Sequence, residues 1–144
     1  MLKVSFNYAD RQLAITDKLK LRGFIEELFK QEKIPLQRLS YIFCSDEFLL
    51  QINKDFLQHD YYTDIITFDL SEGGEDINGE VYVSIDRIKD NANTLKVPFT
   101  DEVLRVVFHG ALHLCGYKDK KATDIKLMRQ MENKYISIYK KGST

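Results

Sequence analysis

Residues 100–119 read TDEVLRVVFHGALHLCGYKD, and the rest of the chain is best read outward from this stretch. Thr100 is placed to cap a helix, with Asp101 and Glu102 in the first turn, where carboxylates suit the positive helix end. His109 and His113 stand four apart among Val106, Val107, Leu112 and Leu114. Positions i and i+4 share a helix face, so both imidazoles can address one point. Gly116 can end the helix in a left-handed conformation. Asp119 then follows a turn that can carry it back toward the histidines. Two nitrogens and one carboxylate oxygen arriving this way would form an open three-ligand metal site, with one coordination position left for water.

The competing interpretation is a pair of ordinary surface histidines. Against it, the chain has only three histidines, and two of them form this pair. They lie in an apolar setting, where an unpartnered imidazole is costly to bury. The spacing also excludes one reaction class. H-E-x-x-H peptidases take their general base from the Glu beside the first His, and position 110 is Gly. A bound ion can itself lower the pKa of its water to about 7, which gives hydrolysis a nucleophile without that Glu. A carboxylate ligand makes the ion a weaker acid than a third imidazole would and favours harder metals.

A chain of 144 residues fits one domain, 1–144, able to bury roughly 70% of its unfolded surface. No apolar run reaches the ~18 residues of a membrane span, and the N-terminus MLKVSFNYAD lacks a signal-peptide core, so a cytoplasmic location is expected. Cys44 and Cys115 are expected to be free, buried thiols, and Cys115 to be a core residue, since an offset of two from His113 puts it on a different helix face. The net charge of −1 does not advertise nucleic-acid binding, but its distribution is uneven. Residues 45–102 carry fourteen acidic and four basic side chains, and residues 118–141 carry eight basic and three acidic ones. That asymmetry can build a local positive face; the plain alternative is a helix with its lysines solvated.

Alternation predicts strands at Lys3–Tyr8, Leu39–Cys44, Ile65–Leu70 and Gly79–Ser84. Helices are predicted from a Thr16 cap to Glu32, from a Ser45 cap through Leu49, Ile52 and an inward Phe56, from Asp86 to Leu95, from Thr100 through the histidines, and from Thr123 to Tyr139. Met128, Met131 and Tyr135 read as the core stripe of the last helix. His59–Thr63 is a polar, aromatic loop, and Ser71–Asn78 is another loop. About four strands and five helices around one mixed sheet make the class α+β.

Three motifs carry a resemblance that covers nearly the whole chain. HGALHLCGYKD, at 109–119, resembles the HGxLHLxGYDH signature of the YbeY family of metal-dependent endoribonucleases. Ile52–Asn53 with TDIITF at Thr63–Phe68 is similar to the family's LNxxYRxxDxPTDVLSF, and GEVYVS at Gly79–Ser84 to its GDIxIS strand. The resemblance implies a single-strand-specific endoribonuclease of 16S rRNA 3′-end maturation and ribosome quality control. It implies one zinc ion on His109, His113 and position 119, with the metal-bearing helix at the base of a cleft. Thr63, Asp64, Thr67 and Ser84 lie in the matched motifs and are candidates to line that cleft; for Thr67 and Ser84 the alternatives are plain strand residues or a helix cap. Single-stranded RNA, in the ribosome context, is the implied partner, with ribosomal proteins as further possible partners and no membrane.

The sequence departs from the family pattern at three places. Asp119 stands where the family has His, Leu57 where it has an Arg suited to hold a phosphate, and Tyr62 where it has Pro. Arg105, Arg87 or a lysine would have to replace the missing guanidinium. His59 reads as an exposed loop residue, and Tyr61, Tyr62 and Tyr117 are able to stack on unpaired bases. The nucleophile is either an activated water or the RNA's own 2′-hydroxyl. A rival from another class is a ribosome-assembly or RNA-binding factor with a mainly structural metal, which the near-neutral charge and Leu57 would suit. The number of protein ligands on the ion separates the two.

Overall fold

The computed structural model describes residues 2–142. The elements follow as β1 (Val4–Tyr8), α1 (Lys18–Gln31), β2 (Leu36–Cys44), α2 (Asp46–Leu57), β3 (Ile65–Asp69), β4 (Ile77–Ser84), α3 (Ile85–Leu95), α4 (Phe99–Leu114) and α5 (Ala122–Lys141). The strands form one sheet in the order β1-β2-β4-β3. β1 and β4 run parallel to β2, and edge strand β3 runs antiparallel to β4. The α+β class, with four strands and five helices among the described residues, is as the sequence predicts.

Strand alternation splits the core in two. Leu39, Tyr41 and Phe43 of β2, with Val81 and Val83 of β4, face a large cluster shared with α1, α3, α4 and α5. Cys44, Ile66, Phe68 and Tyr82 point to the opposite face, which Leu49 and Ile52 of α2 cover. Phe56 is 70% exposed instead of inward. It stands in the last turn of α2 and meets Phe68 of the edge strand β3 edge-on at 6.1 Å.

Helix α4 sits unusually close to the sheet. A Cβ on Gly110 would fall 2.8 Å from Val81 Cγ1, and one on Gly79 would fall 2.6 Å from Leu114 Cδ1. Two glycines, one on each element, thus set the spacing between α4 and β4. The buried Tyr41 hydroxyl donates to the Val107 carbonyl at 2.7 Å and fixes the helix against β2.

Two predicted caps are corrected. The α1 cap is Asp17, not Thr16: its side chain accepts from the Lys20 amide at 3.1 Å, with the backbone left-handed at φ 55°. Asp tolerates that conformation far better than a β-branched residue does. Helix α4 begins one residue before Thr100. Pro98 stands at its start without a side-chain cap, and its carbonyl accepts from the Asp101 and Glu102 amides. The fixed φ of proline prepares such a start. Ser45 caps α2 as expected, accepting from the Phe48 amide at 3.1 Å.

Candidate metal centre and cleft

The C-terminus of α4 builds the site. The Gly116 amide donates to the His113 carbonyl and the Tyr117 amide to the Leu112 carbonyl, each at 3.0 Å, while Gly116 takes φ 107°. This paired arrangement is the Schellman termination, which needs a left-handed residue and so favours glycine. It reverses the chain and returns Asp119 to the helix face. Asp119 Oδ2 then lies 3.2 Å from His109 Nε2 and 3.3 Å from His113 Nε2. His109, His113 and Asp119 each offer one ligand atom, all within 4.8 Å of one another, a group that can hold a metal ion.

The other nitrogen of each imidazole is already engaged. His109 Nδ1 is 2.6 Å from Glu132 Oε2, and His113 Nδ1 is 3.0 Å from the Tyr117 carbonyl. An ionised carboxylate and a carbonyl only accept, so both Nδ1 atoms carry a hydrogen, and both Nε2 atoms turn toward Asp119, where a neutral ring would offer its lone pair to an ion. This is the outer-shell support typical of metal-binding histidines. The chemistry of the donor set therefore fits a divalent cation. The Tyr117 hydroxyl in turn donates to Glu32 at 2.7 Å, and Tyr135 donates to the other oxygen of the same carboxylate, which ties the turn to α1.

Glu132 was not foreseen. It is 4% exposed and holds His109 on one oxygen and Arg105 Nη1, at 3.0 Å, on the other. Burial alone would raise its carboxyl, but the hydrogen bonds from His109 and Arg105 outweigh burial and hold it below the usual range. For His109, burial acts to lower the imidazole, and the bond to Glu132 with the charges of Glu132, Asp119 and Asp64 raises it on balance. A signal existed in the sequence: Glu132 falls on the Met128–Tyr135 stripe, where a carboxylate without a partner would be expelled from the core.

The histidines open into a cleft of about 800 Å³. Thr63, Asp64 and Thr67 line it, and so do His59, Tyr61 and Leu57. Asp64 is pushed upward chiefly by burial, against the pull of His109, and accepts from Asn91 Nδ2 at 3.4 Å. Ser84 does not belong to the cleft. It is fully buried as the cap of α3, accepting from the Arg87 amide and donating to Asp46 Oδ1 at 2.6 Å. Asn53, also buried, donates to the Tyr61 carbonyl at 2.9 Å and pins the loop over the cleft. His59 and Tyr61 stack at 5.1 Å on that loop.

Of the cations considered for the missing guanidinium, Arg87 is spent on Asp46 and Asp90, outside the cleft. Arg105 lines the cleft beside Glu132. The lysines of 118–141 are exposed and outside the cleft lining, as a solvated face would have them, whereas Arg129 lines it. Cys115 takes no part in the ligand group; burial, then the charge of Glu32, pushes its thiol up to about 12.

The family model described as Endoribonuclease YbeY matches residues 5–140. The Endoribonuclease YbeY of Cytophaga hutchinsonii is 47% identical over 137 residues, covering 95% of this chain and 96% of the relative. That of Flavobacterium psychrophilum is 41% identical over 136 residues, covering 94% and 96%. A solution structure of a protein from Thermotoga maritima superposes with a TM-score of 0.62 at 29% identity, covering 93% of this chain and 88% of that one.

Proposed function

The chain belongs to the YbeY endoribonuclease family, and on that premise we propose that it is a zinc-dependent endoribonuclease that cuts single-stranded RNA in the cleft above α4. The observation that carries this reading is the convergence of His109 Nε2, His113 Nε2 and Asp119 Oδ2 at the cleft floor. A zinc ion held by these three would supply Lewis acidity toward a phosphoryl oxygen and acidify a water. Three protein ligands leave a coordination position free, as catalytic sites do and closed structural sites do not.

The chain's own residues supply positioning and proton traffic. Glu132 and the Tyr117 carbonyl orient the two rings. The Asp64 carboxyl, raised by burial, is suited to hold a proton beside the reacting groups. Thr63 and Thr67 present hydroxyls along the wall formed by β3 and its approach loop. Tyr61, 56% exposed and stacked on His59, offers a face for an unpaired base, which only a single strand can present.

The family relationship supports rRNA maturation, at the 3′ end of 16S rRNA in the ribosome context, as the setting. Such a role places the protein in the cytoplasm, and no helix among the described residues is long and apolar enough to cross a membrane. The test is cleavage of a single-stranded oligoribonucleotide by purified protein, with zinc quantified in the same preparation. His113→Ala should lose zinc and cleavage together. Persistence of both in that variant would refute the assignment.

A further inference from the structure

The cleft poses an electrostatic problem for an anionic polymer. Asp64, Asp69, Glu102, Asp119 and Glu132 all line it. Among the described residues, the lysines and arginines of the lining are Arg105 and Arg129 alone. Arg105 is only 24% exposed at its side chain and is committed, with Nη1 3.0 Å from Glu132 and Nε 3.8 Å from Glu102. Arg129 is 55% exposed, and its approach to Glu132 is a loose 3.7 Å. It stands one turn before Glu132 on α5, on the face that Ile125 and Met128 also turn to the cleft.

We propose that Arg129 is the phosphate anchor of this protein, binding the RNA backbone beside the metal centre. Its planar fork offers several donors, and the weak pair with Glu132 leaves most of them to a phosphate. Glu132 stays compensated when Arg129 turns away, because His109 and Arg105 remain bonded to it. Arg129 thus contacts the substrate directly and leaves the candidate ligand group intact. This inference rests on the nuclease reading for its purpose, but binding tests it separately.

The experiment is equilibrium binding of a fluorescent, 2′-O-methylated single-stranded oligoribonucleotide to the zinc-loaded protein across a salt series, alongside cleavage of the unmodified strand. Arg129→Ala should weaken binding about 10-fold, as loss of a charge-assisted contact does. It should also flatten the slope of log K against log salt by about 0.7, the share of one phosphate on a single strand. KM should rise more than kcat falls, and zinc content and melting temperature should stay at the wild-type values. Arg129→Lys should recover the salt slope and part of the affinity. Lys126→Ala, exposed on the same helix but outside the cleft, should leave affinity nearly unchanged. Wild-type affinity and slope in Arg129→Ala would overturn the anchor, as would an equal loss in Lys126→Ala. Failure of the wild type to cut RNA under any divalent metal would instead sink the nuclease reading, and the binding slopes would still decide Arg129.

Discussion

His109 Nδ1 and Glu132 Oε2 lie 2.6 Å apart, joining the middle of α4 to the middle of α5 across the back of the candidate metal centre. The contact does three things at once. It fixes the histidine tautomer, aims Nε2 at Asp119, and compensates a carboxylate that is otherwise buried.

Glu132→Gln keeps an acceptor but removes the charge that favours a proton on Nδ1. Zinc affinity, read by competition with a chromogenic chelator, should drop by roughly 10- to 100-fold, the usual cost of losing an outer-shell partner. An affinity equal to the wild type would mean that Glu132 only fills the core.

The same pair sets the pH response of the metal-free protein. Glu132 is held below its ordinary 4.5, so its stabilisation is present above that pH and is lost as pH falls through the depressed value. His109 is held above its ordinary 6.5, so its stabilisation is complete below 6.5 and is lost as pH rises through the raised value. Melting temperature in chelator should therefore be highest between these two ordinary values and decline toward alkaline pH. His109→Gln should lack the alkaline decline. With zinc present the trend should reverse above 6.5, because the ion binds the deprotonated ring. Parallel pH profiles with and without zinc would contradict the ligand assignment of His109.

Gly110→Ala would drive a methyl to 2.8 Å from Cγ1 of the fully buried Val81 side chain, and to 3.1 Å from Ile65 Cδ1. Urea unfolding should show a loss of about 1–3 kcal/mol, despite the better helix propensity of alanine. Zinc affinity should fall too, since α4 must shift to relieve the clash. A stabilised variant would show that helix and sheet are less tightly set than the two glycines indicate.

Asp119→His would replace an anionic candidate ligand by a neutral one. The variant should keep zinc, and its pH–rate profile for RNA cleavage should move toward lower pH, because the ion loses donated negative charge. A profile superimposable on the wild type would count against a water activated at this ion.

Much of the scaffold can be read in the chain because periodicity reports burial directly. Val81 and Val83 alternate onto one face of β4, and Leu21, Ile25, Leu28 and Phe29 repeat along α1, because each element has one face to bury. Caps are harder to read, since several adjacent residues can serve. Thr16 and Asp17 compete at α1, and only the backbone path makes Asp17 the acceptor. At α4 the rigid ring of Pro98 starts the helix before Thr100 can cap it. Phe56 obeys the periodicity of α2 and is still largely exposed, because a helical stripe does not reveal which of its turns the rest of the fold covers. Ser84 sits in a strand motif beside cleft residues, and its role as a buried cap follows from how β4 runs straight into α3.

By itself the sequence pointed to the candidate trio His109, His113 and Asp119, since one helical turn, a glycine terminator and a carboxylate ten residues beyond the first histidine are short-range geometry with few alternatives. The partners of those three side chains came only from the tertiary structure. Glu132 is 23 residues from His109, and Glu32 is 85 residues from Tyr117. Their meeting depends on how α5 and α1 dock against α4. The same docking decided that Arg129 faces the cleft while Arg87 does not. Packing of whole elements sets such contacts, and no local pattern of residues encodes it.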